Sequence, residues 1–360
     1  MNTLKALASS QKLTRADILP LFSKLGYPLP ITTRKNDLLE SLEVNLAKHH
    51  AQSKKNLNAN GRIIMALDMG LKNMSMARFC LHNRQNIPEL YQWFKMDLDP
   101  LECAFNPINY SNIAIDFLHD QIINDTTIKG SNKQISVILE RQRFRTAGSS
   151  AVLESTLKTN TLEAMLCMGI VSHNRATNDT GMQISAISSP PGGMVKYWQR
   201  YFPAEEKLNE KESKQFRMEL VLNFLLLALK PLNLDPKKVK EHAQMNFLLD
   251  PKKAKPKFSL PERLIQGLAT ILKSPEGEKR WDAAWSFKSQ SRRLWEIARI
   301  INEANDDDYR VPDEVWGVKK GDDLADSLLH GIAHLEYQQN REVFQNLVQK
   351  GKDIRSFSFA

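Results

Sequence analysis

The sequence has few cysteines. Three among 360 residues, Cys80, Cys103 and Cys167, stand far apart. They make neither a zinc-binding spacing nor the framework of a disulfide-stapled domain, and they favour a reducing compartment. Long apolar runs are also missing. The longest, around Phe224–Leu229, is bounded by Asn223 and Lys230, far short of the ~20 residues that a bilayer helix needs. Internal repeats are absent. Acids are missing from the N-terminus before Asp17, where Lys5, Lys12 and Arg15 occur. That is compatible with a transit peptide, though one poor in arginine.

What is present describes a globular chain, 42% hydrophobic and 25% charged, long enough for one to three domains. Its formal charge is +9. An excess of Lys and Arg favours a polyanionic partner, because each cation set against a phosphate releases a condensed counterion. A merely soluble basic surface would carry the same charge.

Texture divides the chain. Residues 1–50 predict two helices broken at Gly26-Tyr27-Pro28. The first runs from an N-cap at Thr14 to about Leu25, with Ile18, Leu19, Leu21, Phe22 and Leu25 on its apolar side; the second starts near Thr33 and carries Leu38, Leu39, Leu42 and Leu46. The polar stretch 51–60 reads as a linker. From Arg62 the pattern turns to strands, at Ile63–Asp68, Asn73–Leu81 and Glu89–Met96. A helix over Asn109–Asn124, a strand at Gln134–Leu139, a helix from Ser150 to Val171 and a strand near Met182–Ile187 follow. Three strands, helix, strand, helix, strand is the order of an RNase H-like core: a mixed five-stranded sheet with helices on both faces. Residues 202–313 read as a helical insertion, and a final helix covers about Asp322–Lys350. The domain built on this core thus spans 61–350, followed by a tail at 351–360.

Three acidic motifs carry the chemistry. Ile63-Ile64-Met65-Ala66-Leu67-Asp68-Met69-Gly70 is an apolar strand that delivers a carboxylate at its end. An Asp that merely caps a turn would look the same. Val137-Ile138-Leu139-Glu140-Arg141-Gln142-Arg143 repeats the arrangement, and Glu140 could equally pair with a neighbouring arginine. Lys319-Lys320-Gly321-Asp322-Asp323-Leu324-Ala325-Asp326-Ser327 opens a helix with acids whose spacings of three and four put them on one face. A helix N-terminus favours acids, which accounts for Asp322 and Asp323 but less well for Asp326. Four carboxylates gathered at one sheet edge would require cations. Two Mg²⁺ ions there could activate water and stabilise the leaving oxygen of a phosphodiester.

In this order, the Leu-Asp-x-Gly strand, the Leu-Glu strand and the Asp-x-x-Asp helix resemble the active-site motifs of RuvC-like Holliday-junction resolvases. The strings Leu139-Glu140-Arg141-Gln142-Arg143-Phe144-Arg145 and Lys319–Asp326 are similar to the fungal mitochondrial branch of that family. The resemblance covers about residues 61–201 and 315–350 and leaves the insertion unaligned. It implies a mitochondrial, homodimeric endonuclease that cuts two strands of four-way DNA symmetrically. Two Mg²⁺ ions per subunit would be required, with Mn²⁺ as a substitute. Asp68, Glu140, Asp323 and Asp326 match the family's metal-binding, catalytic acids, with Asp322 as the alternative register for Asp323. Asp-x-x-Asp followed by Ser-Leu-Leu, beside an apolar row of Leu324, Leu328, Ile332 and Leu335, favours Asp323.

DNA contacts are expected from Arg141, Arg143, Arg145, Lys319 and Lys320 around the acids. Lys196 matches a basic residue that the family carries after its last strand. The N-terminal helix pair resembles a SAP-type DNA-binding module, with Arg15, Lys24, Arg34 and Lys35 toward phosphate, although a hairpin packed on other helices would have the same pattern. Tyr197 and Trp198 suit base stacking or a core, and His330 and His334 a metal pair, a partner for Asp326 or plain core. Val152, Leu153, Leu157, Leu162, Met165 and Leu166 lie on the helix that resembles the family's dimer-forming element. Two other readings remain open: a nuclease acting on RNA–DNA hybrids, and a non-catalytic nucleic-acid binder of this fold.

Overall fold

The computed structural model describes residues 4–32, 34–55, 61–82, 87–99, 105–124, 134–141, 154–177, 184–202, 208–232, 255–305, 310–316 and 319–358. By compactness the chain divides into two units. One comprises residues 59–191 and 201–331, and the other residues 1–58, 192–200 and 332–360.

The first unit is built on a five-stranded sheet in the order β3-β2-β1-β4-β5. Its strands are β1 (Gly61–Asp68), β2 (Met74–His82), β3 (Glu89–Met96), β4 (Gln134–Glu140) and β5 (Ile184–Ser189). β1, β2 and β3 run antiparallel, whereas β4 and β5 join β1 in parallel. β1 is central and buried along nearly its whole length, which explains its unbroken apolar run; a strand covered on both faces has no polar side to alternate with.

Side-chain alternation along β2 sorts the helices onto opposite faces. Phe79 points to α11 (Asp322–Gln349), where a Cβ on Gly331 would lie 2.4 Å from its ring and 3.3 Å from Ala66 of β1. The adjacent Arg78 points the other way and donates to the Gln121 carbonyl, 2.5 Å away. Gln121 lies in a short π-helical turn, His119–Ile123, that continues α4 (Pro107–Leu118). α4 packs on α5 (Glu154–Ala176) so closely that a Cβ on Gly169 would overlap Leu118.

The stretch expected to be a helical insertion contains α7 (Glu210–Ala228), α8 (Glu262–Lys273), α9 (Pro275–Ser286) and α10 (Gln290–Glu303). Polar side chains seal their ends. Asn209 and Glu212 form a reciprocal capping box on α7, and Asn302 clamps the Val311 backbone through both its N–H and its carbonyl. Residues 233–254 of this stretch lie outside the described residues.

The second unit gathers α1 (Leu4–Ser10), α2 (Arg15–Leu25) and α3 (Lys35–Lys55) with the later part of α11. Thr14 caps α2 in a box with Asp17, as its position predicts. α3 extends to Lys55, through the first five residues of the polar stretch. Their apolar stripe buries Leu21, Phe22, Leu38 and Leu42 against Phe344, Ile354 and Phe357 from the end of the chain. The open carbonyls at the end of α2 are also satisfied from there. Arg341 donates to Leu25 and Gly26, and Asn340 donates to Lys24. Gly26 closes α2 with a φ of +66°, a conformation that favours glycine, and the Tyr337 ring fills the space where a Cβ would sit.

Gly331→Ala should test the packing of α11 on the sheet. Exchanging a mid-helix glycine for alanine ordinarily stabilises by about 1 kcal/mol. Here the methyl meets the buried Phe79 ring, and overpacking of this kind costs about 1–3 kcal/mol. Urea denaturation is expected to show net destabilisation; a more stable variant would contradict the packing.

Candidate active site

The register of the sheet brings the first two acids together. Leu67 of β1 pairs with Leu139 of β4, so the next residues, Asp68 and Glu140, leave adjacent parallel strands side by side. Glu140 is the acid that acts most strongly on the Asp68 carboxyl. The period of two puts Asp68 on the same sheet face as Ser75, Trp93 and Lys95, the face that α11 covers. These three side chains fix the start of that helix. Ser75 donates its hydroxyl to the Asp323 carbonyl at 2.6 Å. The Trp93 indole donates to the Leu324 carbonyl at 2.9 Å, and the Lys95 ammonium donates to that of Lys320 at 3.1 Å. Asp323 and Asp326 are thereby delivered to Asp68 and Glu140.

The electrostatics record the crowding. Burial, and then the charges of Glu140, Asp326 and Asp323, push the Asp68 carboxyl well above the ordinary aspartate range. Burial pushes Asp326 up to about 6 against the opposing pull of Arg217, and Glu140 and Asp323 add to the rise. Asp323 is raised as well, by burial opposed by Lys95. Asp322 stands apart. Its Oδ2 is 3.1 Å from Lys320 and 3.6 Å from Lys214, and its charge helps to raise Asp323.

Two cations balance part of this charge. The fully buried Lys95 ammonium lies 2.6 Å from Asp323 Oδ2. Arg217 of α7 grips Asp326 with a two-pronged fork, Nε to Oδ1 at 2.6 Å and Nη2 to Oδ2 at 3.0 Å. Its third nitrogen donates to Ser213 Oγ at 3.0 Å. Neither cation was visible as a site residue in the sequence. Each left a faint signal, a lysine sharing the buried face of an aromatic strand and a Ser213–Arg217 pair one turn apart on the helix that leads into the apolar run Phe224–Leu229.

The donor set suits a hard divalent cation, since all four groups are carboxylates with an excess of negative charge. Among the described residues, however, no three His, Cys, Asp or Glu side chains converge closely enough to chelate an ion as they stand. Two of the four acids are turned onto protein cations instead.

Other expectations are placed as follows. Arg141 is exposed just beyond β4 and extends its ladder by donating its backbone N–H to the Ser189 carbonyl. Arg143, Arg145, Val152 and Leu153 lie outside the described residues. Lys319 is exposed above the Trp295 ring and Lys320 beside Asp322. His330 is buried, with Nδ1 2.9 Å from Ser189 Oγ and with Nε2 lacking a hydrogen-bond partner among the described residues. His334 bonds Gln338, so the two histidines take separate partners.

In the other unit, Tyr197 and Trp198 are core rather than stacking residues. Both are buried, and the Tyr197 hydroxyl donates to Glu336. Lys196 is exposed on α6 (Pro191–Trp198). Arg15 and Arg34 are exposed and Lys35 is half-buried. Lys24 departs from expectation; its ammonium donates to the Phe357 carbonyl and lies over the Phe357 ring, because the end of the chain packs there.

A mixed sheet of this strand order, with acids at the ends of neighbouring central strands and at the start of a helix on its face, defines an RNase H-like domain. Residues 64–344 match the family described as mitochondrial resolvase Ydc2 / RNA splicing MRS1, and the chain belongs to that family. The mitochondrial cruciform cutting endonuclease 1 of Saccharomyces cerevisiae is 25% identical over 306 residues, covering 80% of this chain and 72% of that protein. The crystal structure of the yeast mitochondrial Holliday junction resolvase Ydc2 aligns at 15% identity and a TM-score of 0.45, over 94% of this chain and 99% of that one. Thermus thermophilus RuvC aligns at 10% and 0.22, over 44% and 96%.

Because Asp68 holds its proton more tightly folded than unfolded, its carboxylate costs stability. The cost is absent below the ordinary aspartate pKa and complete once pH has risen past the raised one. In chelator-treated protein at neutral pH, Asp68→Asn is therefore expected to raise the melting temperature, and the advantage should shrink as pH falls toward 4. A variant less stable than the wild type at neutral pH would count against the crowding of charge.

Proposed function

We propose that this chain is a metal-dependent endonuclease that resolves four-way DNA junctions by paired, symmetric nicks. The observation that carries this reading is the convergence of Asp68, Glu140, Asp323 and Asp326 at one edge of the sheet in a chain of this family. Those acids would hold Mg²⁺, two ions per subunit with Mn²⁺ as a substitute. When bound, the ions supply an activated water and stabilise the leaving oxygen.

The protein's own groups do the rest. Asp68 and Glu140 would anchor ions from rigid strand ends, while Asp323 and Asp326 close the seat from the helix. The cations of Lys320 and Lys214 hold Asp322 outside it. Arg141, Lys319 and Lys320, exposed around the acids, would receive the phosphates that flank the cut, with Arg143, Arg145 and Lys196 as further contacts.

A two-fold junction that needs two cuts calls for two sites, and we propose a homodimer formed through α5. Leu157, Met168 and Val171 of that helix, with Ile108 and Ile115 of the adjoining α4, are exposed apolar side chains that a second copy would cover. The N-terminal helices would serve as a SAP-like DNA-binding module. Mitochondrial location is proposed from the relative's compartment.

The family's description also names an RNA splicing protein, which keeps the non-catalytic reading in play. The presence of all four acids favours cleavage, since a binder of nucleic acid alone has no use for four crowded, mutually repelling carboxylates.

Incubation with a mobile four-way junction and Mg²⁺ tests the central claim. Asp68→Asn and Glu140→Gln keep the side-chain shape but lose the charge. Each should abolish cleavage while leaving junction affinity within about threefold, as expected when phosphate contacts elsewhere supply the affinity. Near wild-type cutting by either variant would remove the metal-site assignment, and an inert wild type would favour the splicing-type reading.

A gentler change than deletion suits the N-terminal module, because its core is shared with Phe344, Ile354 and Phe357. Arg15, Arg34 and Lys35 changed together to Gln should weaken junction binding and flatten the log–log salt dependence by up to about 2–3 in slope. An unchanged slope would exclude phosphate contacts there.

A further inference from the structure

The insertion does more than decorate the sheet. Arg217 on α7 takes both oxygens of Asp326, the last of the converging acids. Its side chain is 9% exposed and that of Asp326 17%, so water screens the pair weakly. Ser213, one turn earlier on α7, accepts from the third guanidinium nitrogen. Lys214 of the same helix lies 3.6 Å from Asp322. The loop before α11 is braced by α10, where the Gly321 N–H donates to Ser291 Oγ at 2.8 Å.

Lys95 and Arg217 differ in how they are held. Lys95 rises from the interior of β3, has no exposure, and is fixed by the Lys320 carbonyl as well as by Asp323. It is a permanent part of the floor. Arg217 reaches in from a separate helix at the edge, and its hold on the site is the one carboxylate fork. A divalent ion that uses Asp326 must compete with that fork, because a carboxylate whose charge is already matched has less to offer a second cation. A guanidinium released from Asp326 keeps a fork that fits two phosphate oxygens equally well.

We propose that Arg217 is a displaceable counter-cation: it occupies Asp326 in the ion-free enzyme, yields it to the divalent ion, and then holds a phosphate oxygen of the DNA. This rests on the metal-dependent reading of the same site. Arg217 is then a positioning residue that couples ion loading to the insertion. Coupling is reciprocal, so what the ion does to the arginine, removal of the arginine must do to the ion.

The test is Mn²⁺ titration of the full-length, chelator-stripped protein by calorimetry, without DNA, alongside junction cleavage at saturating Mn²⁺. Arg217→Met is expected to bind Mn²⁺ at least about fivefold more tightly than the wild type, the lower end of ordinary site-to-site coupling. It should cleave at least about tenfold more slowly, with the loss in kcat, because a transition-state contact to the phosphate is gone. Arg217→Lys retains a charge but not the fork. It should fall between the two in affinity, and it serves as the measurement should the methionine variant fail to fold.

Unchanged or weaker Mn²⁺ binding in a folded variant would overturn the proposal, since an arginine that only props Asp326 in place would lower affinity when removed. Tighter binding with undiminished kcat would overturn the phosphate half of it. A wild type that binds no Mn²⁺, or an Asp68→Asn variant that binds it as well as the wild type, would instead defeat the metal-site reading, whatever Arg217 does.

Discussion

Mutual repulsion of carboxylates in a buried place is the constraint around which this domain is arranged. Asp68 and Glu140 emerge together because parallel pairing in register leaves them no alternative, and α11 adds two more acids. Such a group is untenable without positive charge. The sheet meets the demand with Lys95, a residue that would be costly in an interior without a charged partner, and the insertion meets it with Arg217. Ser75, Trp93 and Lys95 each spend a polar group on the first turn of α11 or the loop before it. The fold thus invests side chains from two strands in keeping the acids where they oppose one another. That is the reverse of what stability alone would select, and it is what a site for cations and phosphates needs.

The sequence made the sheet legible because its strands are short, apolar and bounded. All five lie within two residues of their expected starts, and Asp68 and Glu140 stood out because an acid closing an apolar strand is a local signal. The choice between Asp322 and Asp323 was not local. Helix geometry admits either partner for Asp326, since spacings of three and four differ by only about 20° around the axis. In the structure Lys214, from a helix more than a hundred residues earlier, lies with Lys320 beside Asp322, a pairing that the sequence could not display.

The same limit hid Lys95 and Arg217, whose roles exist only once β3 and α7 are laid beside α11. Lys24 shows the converse error. In a helix read alone it looks like a free basic residue, but Phe357, 333 positions later, occupies its ammonium. Tyr197 and Trp198 resolved toward core for a similar reason, since Glu336 supplies the partner that a buried tyrosine hydroxyl needs.

The closing of α2 by Arg341 and Asn340 has a consequence for the order in which the protein can be made. The first helices emerge from the ribosome early, yet the side chains that satisfy their end carbonyls and complete their core lie near the C-terminus, 316 residues further on for those two hydrogen bonds. A chain synthesised from its N-terminus folds its early segments first only when they are self-sufficient. Here they are not. The opening helices must remain unfinished until the residues around 340–357 have been made. Truncated products would therefore display an exposed leucine-rich surface at the opposite terminus from the break.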